Sequence, residues 1–400
     1  MNWDYEVIIV GGGPGGATAA RFCARRGLKT LLIEKERMPR YKPCGGCLSP
    51  RTVRLLDLDL MPVIENTLYG AKFTYCLRDP FVLNSVDPIA FLVMRDRFDQ
   101  FLIDKAVAEG VQFLEGERVT KVEDRGNGVE SILAGGEKLS CEYLIGADGP
   151  GSVVAKSVSL SHDKKNGYGI GLESEVPFES IANFSREDLR LMHLDFGRIP
   201  NGYGWVFPKR DGLSIGIGGM FREGKRVNPR HYFGDFIKGL NYIDQGKIRN
   251  LVGHPLPPFY DEGQKVSRGR VLLVGDAAHL MDPLTGEGIY YALQSAMLAA
   301  EAIIQAKMNG AHPSTLYQSS VNDLIFGHLK WALNVSHFIY RFTKSAYRTL
   351  RHYPELGDLY LKVMEGKESY QGFVVGVKKR AQDLLKGGFR GKIKKTVARN

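Results

Sequence analysis

The sequence predicts an α/β chain, α+β in its overall organisation: a Rossmann-like dinucleotide-binding domain, an inserted antiparallel-sheet domain and a C-terminal helical region. Three observations carry this. Residues 5–10, YEVIIV, run into GGGPGG, then a helical stretch ATAARFCARRG and a second apolar run TLLIEK, the βαβ order of a nucleotide-binding unit. Residues 168–220 are rich in Gly, aromatic and β-branched residues (GYGIGLESEV, GYGWVFPK, LSIGIGGMF), which reads as an antiparallel sheet with one face suited to line a pocket. The final ninety residues are helical in pattern, and their aromatics Phe326, Trp331, Phe338, Tyr340, Phe342 and Tyr347 read mostly as core.

Each remaining element follows in order. RDRFDQFLIDKAVAEG carries Phe98, Phe101, Leu102 and Val107 at helical spacing and stops on Gly110. Strands follow in VQFLEGERVTKVED, VESILA and SCEYLIGADG, with a turn at 125–128, and a helix covers GIYYALQSAMLAAEAIIQAK after VLLVGDAAHL. Residues 1–60, 95–160 and 265–310 then form the discontinuous nucleotide-binding domain, 61–94 and 161–264 the sheet domain, and 311–400 the helical region with a basic tail.

Four hundred residues with 44% hydrophobic content suffice for a large core. No run of about 18 apolar residues occurs, so no transmembrane helix is expected. The N-terminus, MNWDYEVIIVGGG, enters a strand without the basic n-region of a signal peptide. Cys23, Cys44, Cys47, Cys76 and Cys141 are odd in number and mostly scattered, which argues for a reducing, cytoplasmic setting. The charge of +10 is uneven: from residue 371 onward Lys378, Lys379, Arg380, Lys386, Arg390, Lys392, Lys394, Lys395 and Arg399 stand against Asp383 alone, so this tail holds +8 of it. Such an end attracts polyanions. A solvated tail and contact with an anionic membrane surface both stay open, the second making the protein peripherally membrane-associated. No nucleic acid is expected, because no binding motif accompanies the charge. The nine histidines lack H-x-x-H or H-E-x-x-H spacing, so no metal is expected.

Gly11, Gly13 and Gly16 spell G-x-G-x-x-G, and Glu34 closes the next strand eighteen residues after Gly16. The glycines allow a pyrophosphate to approach a helix N-terminus, whose free N–H groups favour an anion. Glu34 suits ribose hydroxyls and disfavours a 2′-phosphate, leaving NAD or FAD rather than NADP. Two later apolar strands, in LIGADGPGS (144–152) and VLLVGDAAHLMDPLTGEG (271–288), end in Gly/Asp turns. Asp276 is set to hold a polyhydroxy chain, and PLTGEG opens a helix whose N–H groups suit developing negative charge. YKPCGGCLSP at 41–50 holds Cys44 and Cys47 in a C-x-x-C: a redox dithiol, half a zinc site, or a segment set by a cofactor. No second C-x-x-C or His pair completes a zinc tetrahedron, and no thioredoxin-like helix follows. A reversible Cys44–Cys47 disulfide stays open.

Over about residues 5–310 these motifs resemble the FAD-dependent flavoproteins of p-hydroxybenzoate-hydroxylase-like fold: GGGPGG with Glu34, MRDRFD with Arg95, the ADG turn with Asp148 and GDAAH with Asp276, in that order. The resemblance implies FAD, with Arg95 and Asp148 near its pyrophosphate and Asp276 on its ribitol. It extends the cofactor set of Gly11, Gly13, Gly16 and Glu34 to Pro14, Lys35, Val119, Gly149, Pro283, Gly286 and Gly288. PCGG (43–46) and YGWVFPK (203–209) further resemble the geranylgeranyl reductase family, which saturates C=C bonds of polyprenyl chains. That likeness implies Cys44, Gly45 and Gly46 beside the isoalloxazine, with side-chain-free backbone lying against a flat ring. The family's [YF]-x-[WF]-x-[FILV]-P motif lines its prenyl cavity and is filled here by Tyr203, Trp205, Phe207 and Pro208. Alternation puts the three rings on one strand face, as an apolar slot, as sheet core, or as both. Flavin halogenases bear a similar W-x-W-x-I-P motif, but this chain has Tyr203 and Phe207 at its Trp and Ile positions, and halogenases lack PCGG.

The implied reaction delivers hydride from flavin N5 to one alkene carbon and a proton to the other. Trp205 and its neighbours offer aromatic faces to cation-like charge, and Cys44, Tyr203 or a flavin-ordered water supplies the proton. FAD takes the one nucleotide fingerprint, so electrons come from NAD(P)H bound transiently or from a reduced ferredoxin. Implied substrates are a polyprenyl lipid, a quinone or a pigment precursor. The alternatives are a monooxygenase or halogenase of the same fold acting on an aromatic substrate, and a FAD-retaining lipid-binding protein without chemistry.

Overall fold

The structure is a computed structural model that describes residues 3–160, 168–221, 228–248, 250–380 and 382. Of the tail cations, Lys386, Arg390, Lys392, Lys394, Lys395 and Arg399 lie outside the described residues.

YEVIIV forms the strand Tyr5–Val10 within an eight-stranded sheet. Parallel neighbours flank it on both edges, Thr30–Glu34 on one and Lys138–Gly146 on the other. Beyond them lie Gln112–Glu115 on one side, and Val271–Leu273 then Ser267–Arg268 on the other. Val7, Ile8 and Ile9 have no exposed surface, the unbroken apolar run of a strand covered on both faces. The hairpin Val119–Asp124 and Val129–Leu133 folds antiparallel onto Lys138–Gly146. Helix Pro14–Arg25 packs against both Arg95–Ala108 and Ile289–Asn309. Fully buried small residues, Ala17, Ala19 and Ala20 against Ala296, Ala299 and Ala300, let these helices lie close. Strands Tyr5–Val10, Thr30–Glu34, Lys138–Gly146 and Val271–Leu273 all end on one sheet edge, where an open α/β sheet takes its ligand.

The second sheet has seven strands in the order Val252–Leu256, Tyr168–Pro177, Gly212–Phe221, Gly202–Pro208, Leu191–Phe196, Gly70–Tyr75 and Arg78–Asn84. It is antiparallel with one exception, because Leu191–Phe196 runs parallel to Gly70–Tyr75. Those two strands are far apart in the chain, so no hairpin turn sets their relative direction. Val206, Ile215 and Ile217 on one face pack on Phe233 and Phe236 of helix Pro229–Gly239. The other face carries Phe73, Met192, Trp205 and Phe207, with Tyr347 and Leu361 of the helical region in the same cluster. Cys47–Leu48, Ala90–Val93 and Ile64–Leu68 make a small third sheet.

Helices Pro313–Val321, Gly327–Arg341, Thr343–His352 and Pro354–Met364, with residues 370–380, complete the described chain. Phe326 and Tyr347 are core and Trp331 and Tyr340 pack against a smaller buried cluster, as the sequence suggests, while Phe338 and Phe342 are exposed; all but Phe326 also line a cavity. Pro313–Val321 packs on Ile289–Asn309 away from the cavity, while Gly327–Arg341, Thr343–His352 and Pro354–Met364 each turn residues toward it. No helix among the described residues is long and apolar enough to cross a membrane.

Candidate active site

One cavity of about 1030 Å³ runs from the glycine loop, past residues 44–46 and 283–288, to the rings of the C-terminal helices. At its first end Gly12 N–H donates to Glu34 Oε2 at 2.7 Å and Glu36 N–H to Oε1 at 3.0 Å, so loop and acid form one unit. Gly16 admits no side chain, since a Cβ would lie 1.8 Å from the Gly11 carbonyl oxygen. Gly13 caps the following helix without a side-chain bond, leaving its first N–H groups available to an anion.

Cations gather beside this loop. Arg95 forks onto Asp99 through two 2.8 Å bonds, and Arg40 Nη1 meets the same carboxylate at 3.1 Å. Burial first, then Arg95, push the Lys42 ammonium below its ordinary value. Burial and then Lys42 push His254 down to about 4, and its Nε2 is buried without a partner. Lys42, Arg95, His254 and Asp276 all face the cavity. A glycine cradle, three cations beside it, Glu34 below the loop and Asp276 beyond it fit FAD, and Arg40, Lys42 and Arg95 would lie toward its pyrophosphate.

In the middle of the cavity Gly46 has φ +69°, and a Cβ there would lie 2.0 Å from the Val93 carbonyl oxygen, so only glycine closes this turn. Its N–H donates to Cys44 Sγ at 3.4 Å. Cys44 N–H donates to Glu173 Oε2 at 2.7 Å, and the Tyr41 hydroxyl reaches the same oxygen at 3.1 Å. Ser214 Oγ lies 3.4 Å from Glu173 Oε1 and accepts from Trp205 Nε1 at 3.4 Å. Burial, then the neighbouring Glu175, push Glu173 up to about 8, and Lys209 pairs with Glu175. Cys44 and Cys47 are both free thiols. Cys47 sits in a strand opposite Leu92, and burial pushes its thiol up to about 12.

The facing PLTGEG turn is clamped from several directions. Glu287 accepts from Ser49 Oγ, Arg51 and, at 3.3 Å, Thr52 Oγ1, while the Arg51 guanidinium lies 4.1 Å over the Tyr290 ring. Buried Asp282 accepts from the N–H groups of Leu284 and Thr285 and from the Tyr370 hydroxyl at 2.8 Å. The Tyr203 hydroxyl donates to the Thr285 carbonyl, and burial raises this phenol far above its ordinary value. Tyr203, Trp205 and Phe207 share one strand face with successive ring centroids 6.3 and 6.2 Å apart, the indole lying over Gly216 of the next strand.

Gly13, Pro14, Cys44, Gly45, Gly46, Arg95, Gly149, Asp276, Pro283, Gly286, Gly288, Tyr203, Trp205 and Phe207 therefore meet around one space, with Gly11, Gly16 and Glu34 directly behind it. Four expected residues do not reach it. Lys35 is exposed beyond the strand end, and Val119 is buried in its hairpin. The Asp148 carboxylate is turned back to its own turn, accepting from Ser152 Oγ, Val153 N–H at 2.7 Å and Val154 N–H at 3.2 Å. Pro208 ends its strand and offers its carbonyl to Asn66 at 2.7 Å. Arg40, Lys42, Glu173 and His254 join the site without having been expected. The first two were visible as the basic residues just before PCGG, and Glu173 as an acid inside an apolar strand; His254 carried no signal. Among the described residues no group of three His, Cys, Asp or Glu side chains is set to hold a metal ion.

The sequence matches the FAD binding domain family over residues 4–193 and 263–322. It is 30% identical over 322 residues to a chloroplastic geranylgeranyl diphosphate reductase of Nicotiana tabacum, covering 77% of this chain and 68% of that protein. It is 29% identical over 343 residues to digeranylgeranylglycerophospholipid reductase 3 of Methanosphaera stadtmanae, covering 82% and 83%. Among solved structures, a geranylgeranyl bacteriochlorophyll reductase-like protein of Thermoplasma acidophilum matches with a TM-score of 0.74 at 26% identity, covering 84% of this chain and 87% of that one. With its glycine cradle, its Cys44 loop and its strand of three rings around one cavity, the chain belongs to the geranylgeranyl reductase family of FAD-binding oxidoreductases.

Proposed function

We propose that the protein saturates C=C bonds of geranylgeranyl-type polyprenyl chains carried by a lipid, a quinone or a pigment precursor. The observation that supports this reading most is the continuity of the cavity: about 1030 Å³, beginning at the dinucleotide cradle and turning apolar beyond Phe207, where Tyr347, Tyr360 and Phe373 line it. That volume is at the top of the range for ordinary ligand sites, as a dinucleotide and a hydrocarbon chain together require. FAD, bound and reduced, supplies the hydride.

The chain's own residues do the rest. Trp205 and Phe207 hold the alkene and keep water out, and their faces stabilise cation-like charge at the more substituted carbon. Of the proton donors at hand, Tyr203 is the weaker, because its O–H is engaged by the Thr285 carbonyl and burial makes it reluctant to ionise. Cys44 Sγ instead accepts an N–H from Gly46, interacts with the Arg95 guanidinium and lines the cavity, so both partners use its lone pairs and its proton would be the one offered to the alkene. The Cys44 proton is the one assigned to the second carbon. NAD(P)H or a reduced ferredoxin supplies electrons from outside. The test is anaerobic: protein reduced with dithionite is mixed with geranylgeranyl lipids or menaquinones and the products are weighed by mass spectrometry. A gain of two hydrogens per double bond supports the proposal. No gain on any of them, with product-forming oxygen consumption on an aromatic substrate, would replace it by a monooxygenase or halogenase.

A further inference from the structure

We infer that the outer mouth of the cavity is a docking surface for an anionic lipid bilayer, built from the exposed rings of Phe338 and Phe342 and the exposed cations of the same helices. The inference rests on the reading of the cavity as a polyprenyl site. Phe338 is 63% and Phe342 48% exposed, their rings are 5.4 Å apart, and both also line the cavity. Side chains that are at once cavity wall and outer surface mark where the cavity opens. Large rings left in water at an opening are unusual unless something apolar covers them.

The segment that carries them has charge of one sign. Residues 327–352 contain no Asp or Glu and five Lys or Arg. Lys330 pairs with Glu262 and Arg351 approaches Asp79 at 3.7 Å. Arg341, Lys344 and Arg348 are exposed and have no ion pair among the described residues. In helix Thr343–His352 the exposed Lys344, Arg348 and Arg351 form a stripe beside the inward Tyr347, at i−3, i+1 and i+4 from it, and Tyr347 and Arg351 both reach Asp79. Exposed Lys378 reaches the same cavity from residues 370–380. Rings set to enter the headgroup boundary, with Arg341 over the Phe342 ring at 5.8 Å and further exposed cations on the same segment for anionic headgroups, match a helix lying on a membrane rather than crossing it. The apolar cavity behind them gives this contact a purpose, since a polyprenyl chain can then pass from bilayer to protein without crossing water.

The test uses the full chain with FAD and sedimentation with vesicles of equimolar phosphatidylglycerol and phosphatidylcholine, against phosphatidylcholine alone. Binding should be at least about tenfold stronger to the anionic vesicles, and Phe338→Ser/Phe342→Ser and Lys344→Glu/Arg348→Glu should each lose about tenfold or more. In Phe342→Trp, brominated phosphatidylglycerol should quench the added indole. Equal binding to both vesicles, full binding by both double variants, or a bound but unquenched indole would overturn the inference; the last would move the contact to the basic tail. Lys344→Glu/Arg348→Glu should still reduce a detergent-dispersed prenyl lipid at the wild-type rate. If wild type binds vesicles as expected but reduces nothing in detergent, the reductase reading fails and the docking surface stands.

Discussion

Replacing Glu173 by Gln asks whether the link from Trp205 to the Cys44 loop is held by a neutral or an ionised carboxyl. Burial and Glu175 raise Glu173 from 4.5 to about 8, with Lys209 the one cation opposing them. A raised acid holds its proton more tightly in the folded chain than in the unfolded one. Its contribution to stability is therefore complete below about 4.5, declines as pH rises, and is lost above about 8. Each pH unit over which the folded state keeps one extra proton is worth about 1.4 kcal/mol, so wild type should lose on the order of 3–5 kcal/mol across this window. Gln keeps an acceptor for Cys44 N–H and the Tyr41 hydroxyl but cannot ionise. In urea unfolding followed by tryptophan fluorescence, Glu173→Gln should match wild type within about 1 kcal/mol near pH 5 and exceed it by a few kcal/mol at about pH 8.5. The same difference at both pH values would mean that Glu173 is already ionised beside Lys209, and would refute the reasoning.

Gly16→Ala, which puts a Cβ 1.8 Å from the Gly11 oxygen, should purify folded by circular dichroism but without the flavin absorbance band; retained FAD would mean that the loop relaxes without harm. Trp205→Ala should cut turnover of a prenyl lipid by about tenfold or more while leaving FAD bound, and an equal loss of FAD would reduce the strand to a structural role. With iodoacetamide at about pH 8, mass spectrometry should find Cys44 modified well before Cys47, whose thiol is held up near 12, and bound FAD should slow the Cys44 reaction. Comparable rates at the two sulfurs would contradict that assignment.

What could be read from the sequence was local. The βαβ unit follows from an unbroken apolar run, a glycine loop and an acid at the next strand end, and the Tyr203, Trp205 and Phe207 face follows from a period of two. Two of the misses depend on partners distant in the chain. Lys42 and His254 are neighbours because an edge strand of one sheet reaches the loop of the other, and no spacing encodes that. The parallel joint between Leu191–Phe196 and Gly70–Tyr75 is equally invisible in either strand alone. At Asp148, which likeness sets near a pyrophosphate, the neighbours Ala147 and Gly149 line the cavity while the carboxylate accepts from the Ser152 hydroxyl and two nearby N–H groups. Phe338 and Phe342 alone among the C-terminal rings read as mostly core stand exposed, because hydrophobicity reports a preference for burial and does not say whether this chain provides it.

The PLTGEG turn is tied at once to Tyr203 on the sheet, to Ser49 and Arg51 beside the Cys44 loop, and to Tyr340 and Tyr370 on the helical wall. Anything that settles the helices around a chain in the apolar end also settles the surface offered to the ring system. If a lipid bound there tightens the hold on FAD, linkage requires FAD to raise the affinity for that lipid by the same equilibrium factor. A cell short of substrate would hold this protein with its cofactor less firmly bound, so lipid supply and flavin retention would rise and fall together.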